Sequence, residues 1–246
     1  MDPFPKLLRV SKVRFAGNIM NFGIKVISLM FETKIENLVK EKNYIVRHGQ
    51  TDYNLRGVVQ GSGIDAPLNS NGLRQGKAFF DAYKEIPFEK VYYTGLQRTK
   101  QSVQGFLNLN IPSESIIEFN EISWGKYEGL PMTHDENEYY LQMLKRWSLG
   151  DLDYAIAGGE SPNMVVFRLK IGLEKILNQP EKLILICMHG RAMRMLLSIL
   201  MNYELKFMDE FKHQNLGLYE LNMDDSGVFR ILKYNSGAHL KGLELI

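Results

Sequence analysis

Short apolar runs alternate with amphipathic stretches from residue 43 onward, and this alternation predicts a succession of strands and helices. Asn43 to Val46 reads as a short buried strand closed by a polar loop at Gly49. Ser70-Asn71-Gly72 opens a helix in which Leu73, Ala78, Phe79 and Tyr83 lie roughly on one face. Val91 to Tyr93 is a second strand, followed after Gly95 by a helix to about Leu109, and Ser115 to Phe119 a third strand. Beyond an aromatic loop, Thr133 to Trp147 is helical and rich in polar residues. Ser161-Pro162 pairs an N-cap with proline at the first helical position, starting a helix that runs to about Asn178. Leu183 to Met188 is the most hydrophobic run, hence a central strand, and Arg191 to Met201 is the helix after it. Leu216–Met223 and Val228–Tyr234, flanking Asp224-Asp225-Ser226-Gly227, predict a terminal β-hairpin. The order implies an α/β fold with a mostly parallel sheet covered on both faces, in one domain spanning residues 43–246.

Residues 1–42 stand apart as a peripheral extension of uncertain structure, read as helical from Ile19 to Lys40. Lys6, Arg9, Lys12 and Arg14 precede an apolar run, Phe15 to Phe31, as in a signal peptide. Asn18, Asn21 and Lys25 interrupt that run, and no clean cleavage motif follows. The same breaks argue against a membrane span. Met20 and Met30 are both available as alternative starts, and the segment is assigned no function.

Composition narrows the field. Thirty basic and 28 acidic side chains leave a net charge of +2, which gives no global reason for nucleic-acid or membrane binding. The single cysteine, Cys187, excludes an intramolecular disulfide framework, fits a reducing, cytoplasmic setting, and sits in an apolar run as a core residue. Among the five histidines there is no H-x-H or H-E-x-x-H spacing, so no metal site is expected.

The chemistry lies at the strand ends, where ligands of α/β sheets gather. Two histidines occupy that position and each precedes a glycine: His48-Gly49 and His189-Gly190. Arg47 flanks one, Arg191 and Arg194 follow the other, and Arg98 lies in the first turn after the second strand. Guanidinium groups and the N–H groups of a helix start both suit a phosphate dianion. An imidazole can attack phosphorus, and a carboxylic acid can protonate the leaving alkoxide. Glu121, Glu128 and Glu160, all in predicted loops, are candidates for that acid.

At these residues the chain resembles the histidine phosphatase superfamily, the phosphoglycerate-mutase-like proteins. The resemblance rests on Arg47-His48-Gly49-Gln50-Thr51 with Asn54 and Gln60-Gly61, then Asp65-Ala66-Pro67-Leu68 and Thr94 to Ser102 around Arg98. Asn120-Glu121 with Gly125 and Glu128-Gly129 comes next, then Gly158-Gly159-Glu160-Ser161 and His189-Gly190. It covers about residues 43 to 240 and implies a three-layer α/β/α sandwich. It further implies His48 as the phosphorylated nucleophile, Arg47, Arg98 and His189 as the positive pocket, and Glu121 as proton donor and acceptor. Thr51, Asn54, Gln60 and the Gly190 amide would bind substrate. No metal or cofactor is implied, because arginines supply the charge stabilisation. The sequence departs from the family pattern at Gln50, where glutamate is commoner, at Val58, often arginine, and at Thr94, usually serine.

Hydrolysis of a small phosphorylated metabolite is the favoured reading. Transfer to a second hydroxyl, as in a cofactor-dependent phosphoglycerate mutase, is the alternative, and a non-catalytic phosphate-binding protein is a third. His134, His213 and His239 read as structural, Lys145 and Arg146 as solvated, and Glu160-Ser161 as a helix cap. Trp124, Tyr127 and Trp147 suit either a cavity wall or lid packing. Oligomeric state is left open, a homodimer included.

Overall fold

The structure, a computed structural model, describes residues 42–223 and 228–243. The helix expected from Ile19 to Lys40 and the hairpin turn at 224–227 lie outside the described residues. Strands β1 (Lys42–Arg47), β2 (Lys90–Tyr93), β3 (Ser113–Ser115), β4 (Ile184–Met188), β5 (Leu218–Met223) and β6 (Phe229–Ser236) form one sheet in the order β3-β2-β4-β1-β5-β6. Pairings from β3 to β1 are parallel and the two at the β5–β6 end antiparallel. The mostly parallel sheet and the terminal hairpin are as expected.

Among the described residues seven helices connect and cover it: α1 (Asp52–Leu55), α2 (Ser70–Tyr83), α3 (Gln97–Ser102), α4 (Gln104–Leu107), α5 (His134–Ser148), α6 (Pro162–Leu177) and α7 (Gly190–Leu200). Alternate residues of the central strands feed two cores. Ile45, Ile184, Ile186 and Met188 pack with Trp147, Val165, Leu169 and Met193 of α5–α7. Tyr44, Val46, Leu185 and Cys187 pack with Phe79 and Phe106 of α2 and α4. Two cores on opposite faces of one sheet make the three-layer α/β/α sandwich, and they explain why all five residues of β4 are buried.

Three local expectations need correction. The third strand is Ser113–Ser115, and Ile117–Phe119 is instead a 3-10 turn that seats Phe119 in the core. The helix after Gly95 is broken at Val103 into α3 and α4. Leu73 is exposed, and the buried face at the start of α2 is Asn71, Gly72, Gln75 and Gly76. The reason is contact with a loop rather than with apolar core. A Cβ on Gly72 would lie 2.1 Å from the Gln50 carbonyl oxygen, and one on Gly49 would lie 2.8 Å from that of Gly72. Two bare backbones thus press the helix against the loop that follows β1.

Candidate active site

Parallel register brings the two histidines together. Arg47 of β1 stands opposite Met188 of β4, so His48 and His189 leave neighbouring strands side by side. Their ring centroids are 5.2 Å apart and both are buried. The loop that carries His48 is fixed from four directions. The His48 N–H donates to the Met188 carbonyl (2.9 Å), Gly49 N–H to Ser102 Oγ (2.8 Å) and Gln50 N–H to Gln75 Oε1 (2.9 Å). Asn215 Nδ2 donates to the His48 carbonyl (3.0 Å). Gln50, where a glutamate was the commoner choice, is used through its oxygen, which accepts from Asn69 Nδ2 (3.0 Å) and Asn71 Nδ2 (3.2 Å).

Hydrogen bonds assign the ring tautomers. His48 Nδ1 lies 2.7 Å from the Gly49 carbonyl, which can only accept, so Nδ1 carries the proton and Nε2 holds the free lone pair. His189 Nδ1 accepts from Arg98 Nε (3.2 Å), which leaves its Nε2–H to donate to Thr94 Oγ1 (2.8 Å). Thr94 Oγ1 in turn lies 3.0 Å from Thr99 Oγ1, which donates to the Leu96 carbonyl at 2.8 Å. Burial, then the charges of Arg98 and Arg47, push the His48 pKa well below its ordinary value. Burial and the same arginines, together with His48, do so for His189. Both rings are therefore neutral at pH 7.

The cations beside them are themselves buried, and burial pulls Arg47 and Arg98 down to about 10, still protonated at neutral pH. Arg98 donates to the Ile64 carbonyl (2.7 Å) and the Gly61 carbonyl (2.8 Å). Arg47 Nε is buried with no hydrogen-bond partner among the described residues. A buried donor of that kind favours an anion.

Glu121 reaches the same place from the loop after the 3-10 turn. Its carboxylate accepts from the N–H groups of Arg191 (3.0 Å) and Ala192 (2.9 Å) in the first turn of α7, and from Ile122 N–H (3.0 Å). Glu128 and Glu160 are engaged elsewhere. Glu128 accepts from Gly63 N–H (2.8 Å) and Trp124 N–H (2.8 Å), and Glu160 pairs with Arg168 at 2.8 Å.

A cavity of about 260 Å³ results, lined among others by Arg47, His48, Asn54, Gln60, Arg98 and Glu121. Six of the nine residues given roles from the sequence thus line one cavity. Three stand behind it. His189 is fully buried and contacts the cavity through Arg98, Gly190 opens α7, and Thr51 caps α1 by accepting from Asn54 N–H at 3.2 Å. Arg191 and Arg194 do not join the pocket; both pair with Asp209. His213, read as structural, has its ring against Gly190, and burial and Arg47 lower it to about 2. Gly57, Val58, Val59, Gly61, Trp124 and Asn215 complete the lining. Asn215 had no signal in the sequence: a polar residue before a strand is unremarkable until folding sets it on the loop after β1. Among the described residues no group of three potential metal ligands occurs, and no helix is long and apolar enough to cross a membrane.

Comparison with known proteins agrees with this fold. The family model of the histidine phosphatase superfamily (branch 1) matches residues 43–237. The chain belongs to the histidine phosphatase superfamily. Curated relatives include the uncharacterized phosphatase PhoE of Bacillus subtilis, 29% identical over 202 residues, which are 80% of this chain and 96% of PhoE. Fructose-2,6-bisphosphatase TIGAR B of Danio rerio is 34% identical over 137 residues, 54% of this chain and 51% of that protein; here the match spans about half of the relative. Among solved structures, the α-ribazole phosphatase of Shigella flexneri superposes with a TM-score of 0.69 at 21% identity, covering 80% of this chain and 96% of that one. At that identity the likeness speaks for the histidine phosphatase fold alone.

Proposed function

We propose that residues 43–246 form a metal-independent phosphatase domain that hydrolyses a small phosphate monoester through a phosphohistidine at His48. The observation that carries this is the His48 tautomer: Nδ1–H is committed to the Gly49 carbonyl, so the nucleophilic lone pair is on Nε2 beside two arginines. The Nε2 lone pair forms the N–P bond as the P–O ester bond breaks, and the Glu121 carboxyl gives a proton to the departing alkoxide. Glu121 then takes a proton from water, the resulting hydroxide oxygen bonds to phosphorus, and the N–P bond breaks with its electron pair returning to Nε2. Arg47 and Arg98 stabilise the charge on the equatorial oxygens throughout. Relatives named as phosphatases support water as acceptor over a second hydroxyl. A cavity near 260 Å³, below the roughly 300–1,000 Å³ typical of drug-sized ligands, supports a small substrate. The buried thiol of Cys187 supports a cytoplasmic setting.

Rapid quench with a radiolabelled phosphate ester tests the reading. An acid-labile, alkali-stable label is expected on the peptide containing His48 and absent from His48→Ala. Label on a serine, on Cys187 or on His189 would overturn it. Transfer of label to an added alcohol in preference to water would instead identify a mutase.

A further inference from the structure

We propose that Arg168, on α6, is a positioning residue for Glu121, acting with Glu160 to hold the proton-donating carboxyl in register with the site. Neither side chain lines the cavity, yet together they fix the chain on both sides of Glu121. Arg168 Nη1 donates to the Glu118 carbonyl (2.7 Å) and the Asn120 carbonyl (2.7 Å), and Nη2 to the carbonyl of Glu121 itself (3.0 Å). The same guanidinium grips Glu160 with two bonds, Nε to Oε1 (2.8 Å) and Nη2 to Oε2 (2.9 Å). Glu160 Oε2 also accepts from Ser123 N–H (2.9 Å), and its own N–H donates to the Ser123 carbonyl (2.9 Å). Residues 118, 120, 121 and 123 are thus tied to one ion pair whose side chains are only 19% and 20% exposed.

The arrangement has a specific purpose if Glu121 is to work. The segment after Phe119 has no sheet or helix to set its backbone, and Glu121 must present its carboxyl at the first turn of α7. A planar fork can satisfy three carbonyls and a carboxylate at once, whereas an ammonium cannot keep that geometry. Arg168 therefore acts on proton transfer through Glu121, without touching substrate.

This inference rests on the reading of Glu121 as the acid, and the experiment separates the two. Arg168→Lys, Glu121→Gln and the double variant are compared on glycerol phosphate, whose alkoxide needs a proton, and on p-nitrophenyl phosphate, whose phenolate scarcely does. Arg168→Lys is expected to lose about 10–100-fold more kcat/KM, which ends at departure of the alkoxide and so leaves out the later water step, on glycerol phosphate than on p-nitrophenyl phosphate, within the ~10²–10⁴-fold that general acid catalysis supplies. The double variant should lose no more than Glu121→Gln alone on glycerol phosphate, because both changes remove one function. Equal losses on the two substrates, or losses that multiply in the double variant, overturn the positioning role. Glu121→Gln showing no preference between substrates overturns the acid assignment itself, and the inference with it. Should Arg168→Lys not fold, Glu160→Gln, which sets an amide N–H against Arg168 or the Ser123 N–H and so loosens the same clamp, is judged by the same criteria.

Discussion

At the scale of single residues, the site is governed by which atom of each histidine holds a proton. Arg98 settles this for His189, since its guanidinium only donates and so makes Nδ1 the acceptor. Thr94 then supplies the hydroxyl that accepts the resulting Nε2–H at 2.8 Å. Thr94→Val would keep the shape and strand a buried N–H, a loss of about 1–3 kcal/mol. If that loss falls on the active arrangement, kcat/KM drops roughly five- to 150-fold. Thr94→Ser, which keeps the hydroxyl, should stay within about threefold of the parent. Equal loss in the two variants would mean that the methyl group's packing matters and the hydroxyl does not. The histidines and arginines were legible in the sequence because strand, histidine and glycine recur as a unit. Thr94 was noted there only as a replacement for serine. Its partner is 95 residues away, and no local pattern announces a hydrogen bond of that range. Arg168 gave even less signal, being one of several basic residues along an amphipathic helix.

At the scale of elements, loops are held against one another by carboxylates used as acceptors. Glu128 links the loop that carries Gln60 to the loop that carries Trp124, through Gly63 N–H and Trp124 N–H at 2.8 Å each. A Cβ at Gly61 would fall 1.8 Å from Glu128 Oε1, so the carboxylate occupies the space that bare backbone leaves. Glu128→Gln gives up one acceptor oxygen and sets an amide N–H against a backbone N–H. It should cost on the order of 1 kcal/mol in urea unfolding and lower activity on glycerol phosphate and p-nitrophenyl phosphate alike. A loss confined to glycerol phosphate would transfer the acid role from Glu121 to Glu128. Helix ends and central strands were readable because each is set by local chemistry. Ser161 with Pro162 starts α6, Thr133 caps α5, and five apolar residues in succession mark β4. The misplaced third strand and the exposed Leu73 have the opposite origin. Ser113–Ser115 is polar and becomes a strand only by pairing with β2, while the start of α2 answers to backbone contact with Gly49 and Gln50.

For the molecule as a whole, burying so many imidazoles ties stability to pH. Burial first, and neighbouring cations after it, depress His48 and His189 well below the ordinary value, His213 to about 2 and His239 to about 4. In the unfolded chain each titrates near 6.5. Below that pH the unfolded state binds protons that the folded state refuses, so stability falls as pH drops from about 6.5 toward the folded values. Each fully buried histidine contributes at most about 1.4 kcal/mol per pH unit to that slope. His239 allows the effect to be isolated, because it is not among the residues that line the candidate cavity and lies edge-on to Phe79 at 5.2 Å and Tyr83 at 5.5 Å. His239→Phe keeps an aromatic edge in that contact and removes the titration. Partial exposure of the ring reduces its share to about 1–2 kcal/mol between pH 7.5 and pH 5. Urea unfolding at the two pH values should therefore show the parent losing more stability on acidification than the variant, by that amount, with activity at pH 7.5 unchanged. The order follows from the sign of the shift. A histidine that gained a partner on folding would have a raised pKa, and its removal would steepen the acid loss instead. Identical slopes in parent and variant would mean that His239 is free to protonate in the folded protein, and the acid sensitivity would then belong to the histidines at the active site.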